Sequence, residues 1–219
     1  MGRLLLQRSA AEYLPSDHRI PALREAVQGC QGCDLYRNAT QAVLGEGPAT
    51  AKIMFVGEQP GDQEDRQGRP FVGSAGKLFD RLLLKAGISR EECYITNAVK
   101  HFKSVVRGKR RLHAKPTIIE VRACRPWLEA EIETIAPEML ICLGATAAQS
   151  LFGADFRVTQ RRGEPFESEW APWSMGTIHP SAILRAPDDA SRHQMEDEFL
   201  DDLRVVAGRL RQLSKRRTE

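Results

Sequence analysis

A basic stretch near the middle of the chain is the first place where residue types and spacing could do chemistry. Residues 100–115 hold seven Lys or Arg and no acid, and residues 109–113 read Lys-Arg-Arg-Leu-His. Cations at this density bind nucleic-acid phosphates through counterion release, and an imidazole held among them has a reason to stay neutral and nucleophilic. On this stretch alone, a solvated basic loop with an incidental histidine is the simpler interpretation. The hypothesis that His113 is a nucleophile therefore depends on the rest of the chain.

Three further polar side chains lie at or near the ends of predicted strands. Glu58 follows an uninterrupted apolar run, Asn97 lies in the next predicted strand, and His179 ends a later one. Buried runs of this kind are typical of parallel sheets, and ligands bind outside the carboxyl ends of such strands. We therefore expect these residues to converge on one crevice. Taken singly, a surface carboxylate and a satisfied strand-end histidine are the simpler interpretations of Glu58 and His179.

The elements that must position these residues alternate along the chain. Strands are expected over residues 53–56, 94–99, 139–144 and 176–179. Helices are expected over residues 74–86, from 117 onward, over 146–152 and over about 191–213, and a hairpin is expected over 157–166. Thr117 and Glu120 form a capping box, and Pro126 is expected to kink or restart the helix that follows. The order predicts an α/β fold with a mostly parallel sheet and helices on both faces.

Length and composition point to a single domain. The chain has 219 residues and a net charge of +3, because 32 Lys and Arg face 29 Asp and Glu, so its basic character is local. We expect one domain over residues 1–219, with a loose arm over about 1–22 and a disordered basic tail over about 214–219. Five cysteines, no membrane-length apolar run and no signal-peptide pattern favour the cytoplasm. In that reducing compartment, the pair Cys30 and Cys33 indicates metal ligands more readily than a disulfide.

Four motifs, taken in order, resemble those of the uracil-DNA glycosylase superfamily. They are Gly57-Glu58-Gln59-Pro60-Gly61, the segment 68–73 (Gly-Arg-Pro-Phe-Val-Gly), the segment 96–100 (Thr-Asn-Ala-Val-Lys) and His179-Pro180-Ser181. They look most like the iron-sulfur branch, family 4, and the match runs from about Cys30 to Arg185. Within that branch, residues 109–113 resemble the extra basic loop of the UdgX group. Members of that group stay covalently bound to DNA through the loop histidine after excising uracil.

The resemblance implies a three-layer α/β/α sandwich and a role for each motif residue. Phe71 would stack on a flipped uracil and Asn97 would bind its Watson–Crick edge. His179 would donate to uracil O2, and Glu58 would stabilise positive charge on the sugar. His113 would attack C1′ of the deoxyribose. Substrate-binding roles are also implied for Gly57 and Gln59, and DNA-binding roles for Lys109, Arg110, Arg111 and Ser181. We further expect either Asp62 or Asp65 to form an ion pair with Arg111. Without the neighbouring motifs, Phe71 is equally well a core residue.

The resemblance also implies a four-iron cluster, which family 4 binds through four cysteines. Cys30, Cys33 and Cys124 match three of them, whereas His101 stands where the family has the third cysteine, a departure that the UdgX group shares. The implied ligand set is therefore Cys30, Cys33, His101 and Cys124, in a 4Fe-4S cluster that ties the N-terminal arm to the basic segment. From the residues alone, three Cys and one His equally suit zinc. Cys93 and Cys142 are expected to be buried packing residues.

Three functions remain open at this stage. One is a glycosylase that excises uracil and traps itself on the DNA. Another is an ordinary turnover glycosylase whose His113 only contacts the backbone. The last is a non-catalytic module that binds uracil-DNA or single strands. In each case the partner is uracil-containing DNA, including single-stranded DNA, and no membrane is involved.

Overall fold

A parallel four-stranded sheet forms the centre of the protein. The computed structural model describes residues 9–108 and 110–215, with the side chains of 214 and 215 left out. The strands are β1 (Ile53–Gly57), β2 (Cys93–Asn97), β3 (Ser104–Arg107), β4 (Arg110–His113), β5 (Met139–Leu143) and β6 (Trp173–Thr177). The sheet order is β2-β1-β5-β6, and β3 and β4 form a separate antiparallel pair. The predicted strands are confirmed, except that the last ends two residues before His179.

Eight α-helices surround these strands in the described residues. They are α1 (Ile20–Ala26), α2 (Asp62–Gln67), α3 (Ser74–Ala86), α4 (Ile118–Ile135), α5 (Ala145–Phe152), α6 (Val158–Arg161), α7 (Pro180–Leu184) and α8 (Asp189–Lys215). None of them has the length and apolarity needed to cross a membrane.

The sheet separates two apolar cores, which makes the fold a three-layer α/β/α sandwich. Successive residues of a strand point to opposite faces, and β1 shows this directly. Met54 and Val56 pack with α1, α4 and α5, whereas Ile53 and Phe55 pack with α3 and α8. The predicted fold class is therefore confirmed. All five residues of β1, β2 and β5 are buried, as the apolar runs predict.

Helix α4 confirms the predicted capping box and excludes a restart, which was one of the two outcomes expected at Pro126. The Thr117 hydroxyl accepts the Glu120 N–H at 3.3 Å and the Glu120 carboxylate accepts the Thr117 N–H at 2.6 Å, so the capping box is present. The helix then continues through Pro126 to Ile135 without a restart. Trp127 and Leu128, which follow the proline, are fully buried, and this packing offsets the hydrogen bond that the proline removes.

The hairpin predicted over residues 157–166 is wrong. Residues 158–161 form α6, Arg162 makes a parallel bridge to Gly176, and Phe166 makes an antiparallel bridge to Ser174. Arg162 turns toward α8, where it pairs with Glu198 and Asp202. Phe156 and Phe166 pack with Phe152. Contacts with residues distant in the sequence, and not local strand pairing, therefore determine the conformation of this segment.

The N-terminal segment is packed from Ala10 onward, so its prediction as a loose arm is wrong for the part described. Residues 10–13 form a single 3₁₀ turn, and both Ala10 and Ile20 are buried in the core that contains α4. Residues 1–8 lie outside the described residues. Of the tail predicted to be disordered, residues 214–215 complete α8 and residues 216–219 are not described.

Candidate active site

The predicted polar side chains meet in a crevice at the carboxyl ends of the strands. Gly57 of β1 pairs with Asn97 of β2, and β6 ends just before His179. A cavity of about 330 Å³ lies between them, and its lining includes Gln59, Phe71, Asn97, His113 and His179. The expected convergence is confirmed. The Glu58 side chain lies beside this cavity and lines a second one that shares Gln59, His113 and His179 with it.

Phe71 forms an aromatic wall of the cavity, and its backbone there has an unfavourable conformation. Its backbone has φ of 54°, a left-handed conformation that is uncommon for a bulky residue. Gly76 packs so tightly on the Phe71 carbonyl that a Cβ there would come within 1.8 Å of the oxygen. A Cβ on Gly57 would come within 2.4 Å of Asn97 Oδ1 and 2.6 Å of the Phe71 ring. Gly57 therefore keeps open the space between the ring and the amide.

Asn97 presents an unused acceptor to this space. The residue is 2% exposed, and its Oδ1 has no hydrogen-bond partner among the described residues. Its backbone is fixed because Ala98 N–H donates to Gly57 O at 2.8 Å and Lys100 Nζ donates to Asn97 O at 2.6 Å. A buried acceptor without a partner is unfavourable. The site is therefore arranged for a ligand that brings an N–H.

His179 is a neutral donor. Ser181 N–H donates to His179 Nδ1 at 3.1 Å, and the Ser181 hydroxyl lies 2.7 Å from the same atom. Nδ1 is therefore an acceptor and the proton is on Nε2. Burial, followed by the nearby charge of Arg185, lowers the pKa of His179 to about 4. Ser181, predicted to contact DNA, orients this ring through its backbone and hydroxyl.

The basic segment folds as the β3–β4 hairpin, with His113 at its base opposite Ser104. Arg111 anchors the hairpin to α2. Its Nε donates to Asp62 at 2.8 Å and its Nη1 to Asp65 at 2.6 Å, so the predicted pairing is confirmed with both carboxylates. The Arg111 guanidinium is thus occupied within the protein, while Arg110 is exposed. Lys109, predicted to bind DNA, lies outside the described residues.

Gln59 sets the protonation of the His113 ring. Its Oε1 accepts from Lys103 N–H at 3.0 Å, which fixes the amide orientation, and its Nε2 donates to Ala114 O at 2.9 Å. The same Nε2 lies 2.8 Å from His113 Nε2. That imidazole nitrogen must therefore accept, which puts the ring proton on Nδ1. Glu58 Oε1 lies 3.4 Å from the same nitrogen. His113 Nε2 and the Glu58 carboxylate are therefore adjacent at the cavity wall.

A sequence comparison identifies the family. The sequence model of the uracil DNA glycosylase superfamily matches residues 44–204, which include every residue of the cavity. The chain belongs to the uracil-DNA glycosylase superfamily. Within it, the chain is 41% identical to a type-4 uracil-DNA glycosylase of Thermotoga maritima over 74% of this chain and 81% of that protein. It is 36% identical to a type-4 uracil-DNA glycosylase of Archaeoglobus fulgidus over 82% and 87%. A type-5 uracil-DNA glycosylase of Thermus thermophilus is 32% identical over 61% and 64%.

The cysteines of this uracil-DNA glycosylase superfamily member fit a soft metal group. Cys30, Cys33 and Cys124 are free thiols, and burial, with a smaller contribution from the nearby Cys33 and Cys30, raises the pKa of the Cys124 thiol. Cys30 Sγ accepts from Trp127 Nε1 at 3.2 Å, and Cys124 Sγ accepts from Lys100 N–H at 3.2 Å. Bonds of this kind support thiolate ligands. His101 follows Lys100 directly and is 5% exposed, and burial lowers its pKa to about 4, so its imidazole is neutral as a ligand must be.

The zinc alternative uses the same residues, and their types do not separate the two groups. Three cysteines and one histidine suit a closed zinc site as well as an iron-sulfur cluster. Among residues 9–108 and 110–213, no group of three or more His, Cys, Asp or Glu side chains is close enough to hold one metal ion. Cys93 and Cys142 are buried in β2 and β5, as predicted.

Two positioning residues of this superfamily member escaped the sequence analysis. Thr146, at the start of α5, donates its hydroxyl to Glu58 Oε2 and so directs the other carboxylate oxygen toward His113. Glu64 accepts from Gly61 N–H at 3.1 Å and from Gly73 N–H at 2.7 Å, which ties together the loop that carries Phe71. Glu64 lies three residues after Gly61, the N-cap of α2, and this spacing is that of a capping box, which is a local signal for Glu64. No local signal connects Thr146 to Glu58.

Proposed function

We propose that the protein is a uracil-DNA glycosylase that excises uracil and then becomes joined to the abasic deoxyribose through His113, as in the UdgX group. The relatives named above support the glycosylase activity. The observation that carries the covalent step is the position of His113: its Nε2 lies 2.8 Å from the Gln59 amide nitrogen, at the wall of the base-sized cavity, and 3.4 Å from Glu58 Oε1. A histidine that served only to bind the DNA backbone would have no need of this arrangement.

The cavity suits uracil and excludes cytosine. Asn97 Oδ1 would accept the N3–H of uracil, which cytosine lacks because its N3 is an acceptor. The Phe71 ring would stack on the extruded base, and the neutral His179 would donate from Nε2 to O2. An unprotonated N3 facing Asn97 Oδ1 would leave two acceptors opposed and buried, a serious cost.

Cleavage and trapping then follow as two steps. The electrons of the C1′–N1 bond leave with uracil and delocalise onto O2, where the donor His179 stabilises the charge. Glu58 stabilises the positive sugar. His113 Nε2 then forms a bond to C1′, its Nδ1 proton passes to solvent, and the uracil anion takes up a proton. The resulting N-glycosyl imidazole has no easy hydrolytic exit, so the protein acts once.

A turnover glycosylase is the second candidate, and one contact favours it. The Nε2 lone pair of His113 is engaged by the Gln59 amide in this structure, so attack on C1′ requires that hydrogen bond to break. If the bond persisted with DNA bound, water would add to C1′ instead. The two candidates differ only in this last step.

We also propose a 4Fe-4S cluster held by Cys30, Cys33, His101 and Cys124, with a structural role. It would tie the segment after α1 to α4 and to the start of the basic segment, and it supplies no chemistry to the cavity. Free thiols suit a reducing cytoplasm, where we expect the protein to act. Brown protein containing iron would support the cluster, and colourless protein containing stoichiometric zinc would overturn it. A His101→Ala variant with undiminished metal would remove His101 from the set.

The function is tested with a labelled single-stranded oligonucleotide that contains one uracil. The protein and its His113→Ala variant are incubated with it, denatured in hot detergent and run on a gel, and free uracil is measured in the same samples. We expect a shifted band that the variant lacks. Uracil release without a shifted band would mean an ordinary glycosylase, and no release would leave only a binding module. A His193→Ala variant, which alters an exposed histidine on α8, is the control.

A further inference from the structure

The left-handed backbone of Phe71 is held at both ends of the torsion that defines it. The φ angle of 54° relates the carbonyl of Pro70 to the carbonyl of Phe71. Gly76 packs directly on the Phe71 carbonyl, and the Pro70 carbonyl accepts a hydrogen bond from Arg90 Nη2 at 2.9 Å. A conformation of this kind persists only where the surrounding structure imposes it. Arg90 therefore supplies one of the two contacts that fix the direction of this residue.

Arg90 is itself held in place for this contact. It begins the single 3₁₀ turn Arg90–Glu92, which leads into β2. Its Nη1 donates to Asp80 of α3 at 2.5 Å, which leaves Nη2 directed at the Pro70 carbonyl. The Arg90 side chain is 26% exposed, and a hydrogen bond from a charged donor is stronger than one from a neutral donor. The guanidinium thus fastens the loop before Phe71 to α3 and to the start of β2.

The Phe71 ring has little room to adjust if its backbone turns. The ring centroid lies 5.5 Å from that of Phe79 and 5.6 Å from that of His179. A Cβ on Gly57 would come within 2.6 Å of the ring. Arg90 is not among the described residues that line the two cavities. Any effect of Arg90 on the base-binding cavity must therefore pass through the loop that carries this ring.

We propose that Arg90 is a positioning residue that holds the Phe71 ring where it stacks on the extruded uracil. The inference rests on the proposed function, because the stacking requires that base. Loss of the guanidinium leaves the Pro70 carbonyl without its donor. The Phe71 backbone then relaxes toward a negative φ, and the ring leaves the cavity wall.

A double-mutant cycle between Arg90 and Phe71 tests the assignment. Uracil release from a single-stranded oligonucleotide with one uracil is timed with protein in excess over DNA, so that each molecule reacts once. We expect Phe71→Ala to slow release about tenfold, because stacking of a base on an aromatic ring contributes that much. Arg90→Met should also slow it about tenfold, through misplacement of the ring. In the Phe71→Ala background, Arg90→Met should change the rate by less than about twofold.

A neighbouring arginine provides the matched control. Arg81 adjoins Asp80 on α3 and pairs with Glu196 of α8 at 3.0 Å. Arg81→Met therefore removes an ion pair between elements without touching the Pro70 carbonyl, and it should leave the rate unchanged in both backgrounds. Equal slowing by Arg90→Met in both backgrounds would show that Arg90 does not act through the ring. An unchanged rate in Arg90→Met would also overturn the assignment.

A conservative variant keeps the test decisive if Arg90→Met does not fold. Arg90→Lys keeps a positive charge beside Asp80 but lacks the planar fork that reaches two acceptors, so it should slow release about threefold. Urea midpoints show which variants are folded. Where Arg90→Met has no folding transition, Arg90→Lys completes the same cycle with Phe71→Ala, and slowing that persists without the ring would refute the assignment.

The measurements separate this inference from the proposed function. The cycle follows uracil release alone, so the absence of a covalent band would refute the trapping step and leave the role of Arg90 intact. If the unmodified protein releases no uracil, the proposed function fails. The cycle is then measured as binding, by fluorescence anisotropy with an oligonucleotide that carries uracil and one that carries a tetrahydrofuran residue in its place. Arg90→Met should reduce the preference for uracil only where Phe71 is present.

Discussion

At the level of single residues, the contact between Gln59 and His113 engages the nitrogen that we propose as the nucleophile. Replacing Gln59 with Glu would place an oxygen where the amide now donates to His113 Nε2 and Ala114 O. The imidazole would then gain a proton on Nε2 and lose the lone pair that attacks C1′. We expect the rate of adduct formation to fall at least tenfold while uracil release continues, measured as the ratio of shifted band to free uracil. Gln149→Glu on α5 is the charge-matched control, and an unchanged ratio in Gln59→Glu would contradict the assigned tautomer.

His179 gives a second residue-level prediction, in the pH dependence of stability. Its pKa is lowered from 6.5 to about 4, chiefly by burial. Between these values the unfolded chain binds a proton that the folded chain does not, so stability rises with pH across this window. The stability linked to the neutral His179 is fully present above about pH 6.5, and it is lost as the pH falls from 6.5 toward 4. Urea midpoints of the unmodified protein should therefore fall more steeply than those of His179→Asn. Parallel curves would show that His179 does not titrate in this way, and His193→Asn serves as the comparison.

At the level of elements, a buried ion pair joins the segment that follows β2 to α4. Lys100 and Glu131 are both fully buried and in contact. Lys100 Nζ also donates to Thr96 Oγ1 at 2.8 Å, and Glu131 accepts from Tyr94 OH at 2.9 Å and from Gly45 N–H at 2.7 Å. Because Lys100 also donates to the Asn97 carbonyl, the pair lies next to the carboxyl end of β2.

Removing one partner of this pair should destabilise the fold far more than removing both charges. Lys100→Met or Glu131→Gln alone leaves a buried charge without its counterion, at an expected cost of about 3–5 kcal/mol. The combined variant keeps an acceptor for Tyr94 and Gly45 and carries no buried charge, so we expect it to recover more than half of that loss. The free energy of urea unfolding measures both effects. Additive losses in the combined variant would mean that the two side chains act independently.

The strands and helices also show which parts of the fold and of the site can be predicted from the sequence. Apolar runs locate β1, β2 and β5, and strand-end polarity locates Glu58, Asn97 and His179, because both signals are local. The β3–β4 hairpin was missed because its charges conceal the alternation of a strand. The pairing of Lys100 with Glu131 and of Thr146 with Glu58 joins residues 31 and 88 positions apart. No spacing in one sequence encodes contacts of that range, so they become visible only in the folded chain.

At the scale of the whole molecule, DNA binding must come from local charge, because the net charge is only +3. Each phosphate contact to a single strand contributes about −0.7 to the slope of log affinity against log salt. Arg107→Ala/Arg110→Ala should therefore make the slope shallower by about 1.4 for a single-stranded oligonucleotide. Arg192 and Arg204 on α8 are already paired with Asp189 and Asp201 at 2.8 Å, so replacing both with Ala should leave the slope unchanged. Equal slopes for both double variants would mean that the tip of the hairpin makes no phosphate contacts, and that affinity arises from charge elsewhere in the molecule.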